Sequence, residues 1–153
     1  MKSILPFLTK ERVIDLKGQN KSDCLYELAK VAVNEAIHED VEALYDELMD
    51  RERLMSTGIG IGIAVPHTRC PETDTFTVAI GRTAEGVRYD SVDGQPVHLM
   101  ILIIAPGNDR REYLQLLAKV VMRLKDREFF QKLMDAPTPA DVYDIIAKDE
   151  DAE

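Results

Sequence analysis

The sequence has no tryptophan, only two cysteines and only three histidines among its 153 residues. Cys24 and Cys70 are too few for a disulfide scaffold, and we expect both to be reduced thiols, with Cys24 in the core. The histidines lie about thirty positions apart, which is not the spacing of a metal site, and His67 and Cys70 are the only local pair of metal-ligand residue types. We therefore expect no metal site and no cofactor.

Long apolar runs and an excess of basic charge are also missing. The longest apolar run, Leu99 to Ala105, is far shorter than the roughly 20 residues that cross a bilayer, and the start MKSILPFLTKER has no signal-peptide core. Acidic residues number 28 against 19 basic ones, a net charge of −9, which opposes binding to the phosphates of nucleic acids. We expect a cytoplasmic protein without nucleic-acid partners and without membrane insertion.

The composition is that of a globular domain. Hydrophobic residues make up 45% and charged residues 31% of the chain, ordinary values for a folded soluble domain. The length fits one domain, which we place at residues 1–147. The acidic end KDEDAE, residues 148–153, is predicted to be a frayed tail.

Apolar residues at helical spacing predict five helices. The first begins at Ser22, a candidate N-cap, and runs to about His38. The second begins at the cap Asp40 and ends near Arg53. The other three follow a Pro-Gly-Asn turn at 106–108, with a capping box at the start of the last. Their predicted spans are from about Tyr113 to Lys125, Arg127 to Met134, and Pro139 to Ala147, with Thr138 and Asp141 forming the capping box.

Four segments have the composition of strands, namely Arg12–Leu16, Ile59–Val65, Phe76–Arg82 and Val97–Ile104. The last is apolar at nearly every position after His98, which is typical of a central strand covered on both faces. Together with the helices, these strands predict an α/β sandwich, a single domain with a mixed β-sheet flanked by helices. The order of the strands does not follow from the sequence.

The segment STGIGIGIAVPHTR, residues 56–69, places Gly58, Gly60 and Gly62 at alternate positions. On one continuous strand the intervening Ile59, Ile61 and Ile63 would face the core, and the glycines would leave the other face bare. A bare face fits either close packing of a neighbouring element or the approach of a partner, and the spacing leaves both open. The pattern is not a nucleotide-binding loop, because it lacks the spacing of those motifs.

His67 stands directly after a proline. Pro66 fixes its own φ and restricts the backbone of Val65. The backbone before His67 therefore follows a defined path and presents the imidazole with little freedom, as suits a nucleophile. A single histidine is more often a surface or hydrogen-bonded residue, and we interpret His38 and His98 in that way. Cys70 has only Arg69 beside it to lower its pKa and is predicted to be a loop residue without a catalytic role.

Arg51-Glu52, Ser56 to Gly60 and Gly62 to His67 together resemble the active-site signature of one bacterial family. This family comprises the fructose/mannitol-type (type-2) enzyme IIA domains of the sugar phosphotransferase system (PTS) and includes the nitrogen-regulatory IIA-like proteins. The segments DGQPV at 93–97 and LQLLA at 114–118 resemble its later elements. The resemblance covers nearly the whole chain and implies the fructose/mannitol-type EIIA fold.

The resemblance implies a phosphocarrier, in which His67 accepts a phosphoryl group from the histidine-containing phosphocarrier protein and passes it to a IIB domain. Arg51 matches the arginine that stabilises the phosphate. Thr57 either donates a hydrogen bond to the phosphate or satisfies a turn. Transporting members carry a second histidine where this chain has Tyr113, which either hydrogen-bonds the phosphate or the imidazole or is a core aromatic residue.

Three functions are compatible with the sequence. The first is the phosphotransferase-type phosphohistidine carrier of sugar transport, and whether to class it as an enzyme is undecided. The alternative is a nitrogen-regulatory IIA-like protein whose phosphorylation state controls binding to regulatory targets, because added phosphate charge can create or repel a contact. The third is an interaction domain that has lost phosphorylation.

Overall fold

The computed structural model describes residues 4–33, 40–107 and 110–152 of the chain. Two short 3₁₀ helices, Leu5–Phe7 and Lys10–Arg12, precede the regular elements. The strands are β1 Val13–Asp15, β2 Gly58–Gly60, β3 Ile63–Ala64, β4 His67–Cys70, β5 Thr77–Val87 and β6 Val97–Pro106. The helices are α1 Lys21–Ala32, α2 Val41–Leu54, α3 Arg110–Leu124, α4 Arg127–Asp135 and α5 Pro139–Asp151.

Within the described residues, the strands form one mixed six-stranded sheet centred on β6. The order is β1-β5-β6-β3-β2, and β4 also pairs with β6. β6 is antiparallel to β5 and parallel to both β3 and β4, which follow one another along its other edge. The predicted α/β sandwich with a mixed sheet is confirmed, and so is the central place of the 97–104 segment.

The two faces of β6 belong to two separate cores, because successive side chains of a strand point to opposite faces. Leu99, Ile101 and Ile103 pack with residues of α3, α4 and α5. Met100 and Leu102 pack with residues of α1 and α2, including the fully buried Cys24 that the sequence predicts to lie in the core. The run of apolar residues in β6 is therefore explained by helices on both sides of the sheet.

The first helix differs from its prediction at both ends. Asn20, and not Ser22, is the N-cap, since the Asp23 N–H donates to Asn20 Oδ1 at 2.8 Å. The helix ends at Ala32 and Val33 is extended, whereas residues 34–39, with His38, lie outside the described residues. The cap of α2 is confirmed, because the Ala43 N–H donates to Asp40 Oδ1.

The acidic end of the chain is helical rather than frayed as far as Asp151, so the predicted tail is wrong for residues 148–151. The capping box of Thr138 and Asp141 is confirmed at the start of this helix. Its last turn is held by Glu150, which is 3% exposed and accepts hydrogen bonds from the N–H groups of Ile4 and Leu5. This contact with the start of the chain lies too far away in sequence for the local pattern to show it.

None of the described helices is both long enough and apolar enough to span a membrane.

Candidate functional site

The glycine-rich segment is a hairpin and not the continuous strand that its alternation predicts. β2 and β3 pair antiparallel, and the chain reverses between them through positive φ angles of 93° at Gly60, 53° at Ile61 and 82° at Gly62. Glycine adopts such angles without steric cost, which allows the tight reversal. Ile61 therefore sits in the turn, 38% exposed, rather than in the core.

The space beside these glycines is filled by a neighbouring loop. A Cβ added at Gly58 would lie 2.4 Å from Ser91 Oγ, and one at Gly60 would lie 3.2 Å from Asp93 Oδ2. The Asp93 carboxylate also accepts the Ile61 N–H at 2.9 Å. Of the two predicted explanations for the bare face, the structure favours close packing at Gly58 and Gly60.

His67 opens strand β4, directly beside the centre of the sheet. It pairs with Ile103 of β6, and Pro66 O accepts the Ile103 N–H at 3.0 Å. Along β4 the half-buried His67 and Arg69 alternate with the buried Thr68 and Cys70. Cys70 is therefore a buried strand residue, and its prediction as a loop residue is wrong.

The His67 ring is oriented by its own backbone. Its Nδ1 lies 2.8 Å from Val65 O, and a carbonyl oxygen can only accept a hydrogen bond, so Nδ1 carries the proton. The lone pair of the neutral ring is then on Nε2. The Val-Pro-His step thus presents one defined nucleophilic nitrogen.

His67 faces an open pocket of about 420 Å³ between β4, the last turn of α2 and the first turns of α3. Among the described residues its lining contains no carboxylate and three arginines. The lining residues are Arg51, His67, Thr68, Arg69, Arg110, Tyr113, Leu114 and Leu117. The structure therefore brings together three of the four predicted site residues, His67, Arg51 and Tyr113.

Tyr113 lies beside the histidine, with ring centroids 5.4 Å apart and an interplanar angle of 44°. Its hydroxyl oxygen is buried and has no hydrogen-bond partner within the described residues. Burial raises the pKa of Tyr113 to about 12, although the charges of Arg51 and Arg69 act in the opposite direction. The group is thus a neutral hydroxyl that has no acceptor in the part of the chain that the structure describes.

Thr57, the fourth predicted site residue, does not line the pocket. Its hydroxyl donates to Glu52 Oε2 and lies 3.0 Å from the Tyr89 hydroxyl, while its N–H donates to Glu52 Oε1 at 3.0 Å. Glu52 also pairs with Lys21 Nζ at 2.8 Å. Since Thr57 O accepts the Val65 N–H at 3.0 Å, this buried cluster connects the end of α2 with the segment that carries His67.

A known protein-family model matches nearly the whole chain. The family model described as "Phosphoenolpyruvate-dependent sugar phosphotransferase system, EIIA 2" matches residues 6–149. The chain belongs to this family. The resemblance drawn from the motif around His67 is therefore confirmed, and so is the fold that it implies.

Individual relatives of this EIIA 2 domain have different named roles. It is 32% identical over 144 residues to the PTS system fructose-specific EIIABC component of Bacillus subtilis, which covers 94% of this chain and 23% of that protein. The chain therefore spans about a quarter of that relative's length. The nitrogen regulatory protein IIA-Ntr of Neisseria meningitidis has a TM-score of 0.86 and 29% identity, covering 94% of this chain and 98% of that one.

A further solved structure shares the fold at lower identity. It is the complex of enzyme IIAMTL and phosphorylated enzyme IIBMTL from Escherichia coli, with a TM-score of 0.73 and 24% identity. The match covers 92% of this chain and 97% of that one.

Sequence reasoning missed two arginines that line the pocket and one glutamate that lies outside it. Arg69 could have been found from the sequence. It stands two positions after His67, and on a strand over 67–70 the two side chains would point to the same side. Glu52 was named only as part of the Arg51-Glu52 motif, without its role as a buried anchor. Arg110 carries no local signal, since it reaches the pocket only because α3 begins beside β4.

Two further histidine and cysteine predictions concern residues away from this pocket. His98 Nδ1 lies 3.0 Å from Thr83 O, in agreement with a hydrogen-bonded structural histidine. Neither His98 nor Cys24 lines the pocket. The described residues contain no group of three or more histidine, cysteine, aspartate or glutamate side chains placed to hold a metal ion.

Proposed function

We propose that this EIIA 2 domain is a PTS phosphocarrier that accepts a phosphoryl group on Nε2 of His67 from the histidine-containing phosphocarrier protein and passes it to a IIB domain. The observation that carries the proposal is the hydrogen bond from Nδ1 to Val65 O at 2.8 Å, which leaves Nε2 as the nucleophile beside an arginine-lined pocket.

The proposed transfer needs no proton to leave or enter the ring. The Nε2 lone pair attacks phosphorus, the N–P bond of the donor's phosphohistidine breaks, and its electron pair returns to the donor's ring. The proton stays on Nδ1 and remains hydrogen-bonded to Val65 O. Such transfers depend on positioning and on charge stabilisation of the equatorial oxygens, which we assign to Arg51.

Tyr113 takes a separate part in the proposal. Its buried hydroxyl lacks an acceptor in the described residues, and a phosphoryl oxygen on His67 would supply one. A tyrosine cannot carry the positive charge of the second histidine in transporting members. Among the described lining residues, the positive charge of the pocket therefore comes from arginine. Thr57 supports the site through Glu52 instead of contacting the phosphate.

The names of two similar proteins support a IIB acceptor. The Bacillus subtilis relative is an EIIABC component, and in the Escherichia coli complex a IIA of this fold is bound to a phosphorylated IIB. The donor protein is implied by the family resemblance. Because the proposed chain of transfer starts from phosphoenolpyruvate, we place the protein in the cytoplasm.

The test is phosphorylation by phosphoenolpyruvate, enzyme I and the histidine-containing phosphocarrier protein, followed by intact-mass analysis. Wild type and the control His98→Gln are expected to gain one phosphoryl group that is acid-labile and base-stable. His67→Ala is expected to gain none while remaining folded by circular dichroism. A folded wild type that stays unlabelled, or a labelled His67→Ala, would contradict the proposal.

A second step separates sugar transport from regulation, the role named for the similar Neisseria meningitidis protein. Purified phosphoprotein is mixed with candidate IIB domains, and loss of the label is followed over time. Fast loss to a IIB domain supports onward transfer. Stable label, together with a binding partner whose affinity differs between the two forms, would support the regulatory function instead.

A further inference from the structure

The pocket around His67 holds more positive charge than one phosphoryl group needs. The chain as a whole carries −9, yet Arg51, Arg69 and Arg110 meet at this pocket. None of the three forms an ion pair with another described residue. Before phosphorylation, three cationic groups therefore face solvent without a counter-charge from the described part of the chain.

The pocket is also larger than a phosphoryl group. Its volume of about 420 Å³ lies in the range of small-molecule sites. Leu114 and Leu117 line it on the α3 side, and Leu114 is 51% exposed. A dianion on the arginines would thus leave room for a short carbon skeleton against an apolar wall.

Tyr113 gives an independent indication of a ligand. Its hydroxyl is buried without an acceptor among the described residues, and an unsatisfied buried donor is costly. It stands between the two kinds of lining, since Arg51 and Arg69 are near enough to act on it electrostatically and Leu114 and Leu117 share its helix. An anion held by the arginines would satisfy it.

We propose that the pocket binds a small organic phosphomonoester non-covalently while His67 is unmodified, and that this ligand competes with phosphoryl acceptance. The phosphate lies on the three arginines and the Tyr113 hydroxyl, and the carbon part contacts Leu114 and Leu117. No bond is made or broken. The binding step does not depend on the proposed function, whereas the competition rests on it.

The chemistry of the lining orders the ligands. A phosphomonoester should bind more tightly than inorganic phosphate, because it also buries carbon surface on the leucines. For a glycerol-sized group this corresponds to about a fivefold lower dissociation constant. A neutral polyol should not bind, since most of the affinity comes from charge-assisted hydrogen bonds to guanidinium groups.

Binding is tested by nuclear magnetic resonance titration with glycerol 3-phosphate, inorganic phosphate and glycerol, with sodium chloride added to a constant ionic strength. We expect saturable shifts of Arg69, Tyr113 and Leu114 signals with the two phosphates and none with glycerol. Arg69→Gln and Arg110→Gln should each weaken binding at least about fivefold. Arg53→Gln is the matched control, because it removes the same charge from an exposed pair with Asp50.

Two outcomes would overturn the binding step. One is the absence of saturable binding in wild type, and the other is equal weakening by Arg53→Gln and Arg69→Gln, which indicates an effect of net charge alone. If inorganic phosphate binds as tightly as glycerol 3-phosphate, the claim that the carbon part contributes to binding is refuted. Circular dichroism of each variant verifies that it is folded.

Competition is tested by the initial rate of His67 phosphorylation at increasing glycerol 3-phosphate, with glycerol as the control. The rate should fall in wild type and fall less in Arg110→Gln. His67→Ala should still bind glycerol 3-phosphate although it cannot be phosphorylated. If wild type is phosphorylated at an unchanged rate, the inference fails and the phosphocarrier proposal stands. If ligand binds but wild type is never phosphorylated, the phosphocarrier proposal fails and the ligand site stands.

Discussion

Replacing Glu52 by alanine should be among the most destabilising changes near the site. The side chains of Glu52 and Lys21 are only 3% and 17% exposed, and their charged atoms are 2.8 Å apart. Glu52 also accepts the Thr57 N–H at 3.0 Å. Removing one partner of a buried ion pair leaves the other charge uncompensated, which costs about 3–5 kcal/mol. For a chain of this size the melting temperature should fall by about 6–20 °C.

The measurement is urea unfolding followed by far-ultraviolet circular dichroism on wild type and four variants. These are Glu52→Ala, Lys21→Met, the double variant of both, and the control Asp50→Ala. Asp50 lies two positions before Glu52 and its side chain is 71% exposed, so its removal should change the free energy of unfolding by less than about 0.5 kcal/mol. The double variant should be more stable than Glu52→Ala, because it no longer strands the Lys21 ammonium group.

Two results would refute this reasoning. Unfolding of Glu52→Ala at the same urea concentration as Asp50→Ala would show that the pair contributes nothing. Single changes that add without coupling in the double variant would show that Lys21 and Glu52 do not act as a pair.

Three further predictions test other parts of the structure. Because burial disfavours the phenolate, an ultraviolet titration should show Tyr113 ionising near pH 12, and this step should be absent in Tyr113→Phe. A midpoint for Tyr113 near the ordinary value of about 10 would contradict this. Burial raises the pKa of Cys24 to about 11, so a thiol reagent at neutral pH should modify Cys24 only after unfolding, and rapid reaction of the native protein would count against it. Glu150→Ala leaves two backbone donors without their acceptor and should cost about 1–3 kcal/mol, whereas a loss no larger than that of the exposed Asp151→Ala would favour a frayed end.

Elements whose determinants are local were predictable from the sequence. The cap at Asp40 acts on an N–H three residues away, and the box of Thr138 and Asp141 is equally local. The apolar run of β6 indicates its central position, because a strand covered on both faces needs apolar side chains at successive positions. These features require no knowledge of which elements meet.

The predictions that failed have two physical causes. Alternating glycines are compatible with both a continuous strand and a hairpin with positive φ, and the hydrogen bond from the Ile61 N–H to Asp93, 32 positions away, cannot be read from the local pattern. At the start of α1, Asn20 and Ser22 are both good caps two positions apart, so composition could not choose. Glu150 and Arg110 acquire their surroundings only when distant segments of the chain meet.

The contact of His67 with Val65 O bears on how this site can change by mutation. In many histidine sites a separate aspartate or glutamate selects which ring nitrogen is protonated, and a single substitution there removes the selection. Here the selecting atom is a main-chain oxygen two residues away, which every amino acid at position 65 would supply. Substitutions of Tyr113 or of the arginines can therefore alter how strongly phosphate is bound while leaving the choice of nitrogen intact. Substitutions of the surrounding side chains therefore leave Nε2 as the reactive atom, provided that the backbone conformation through Pro66 is kept.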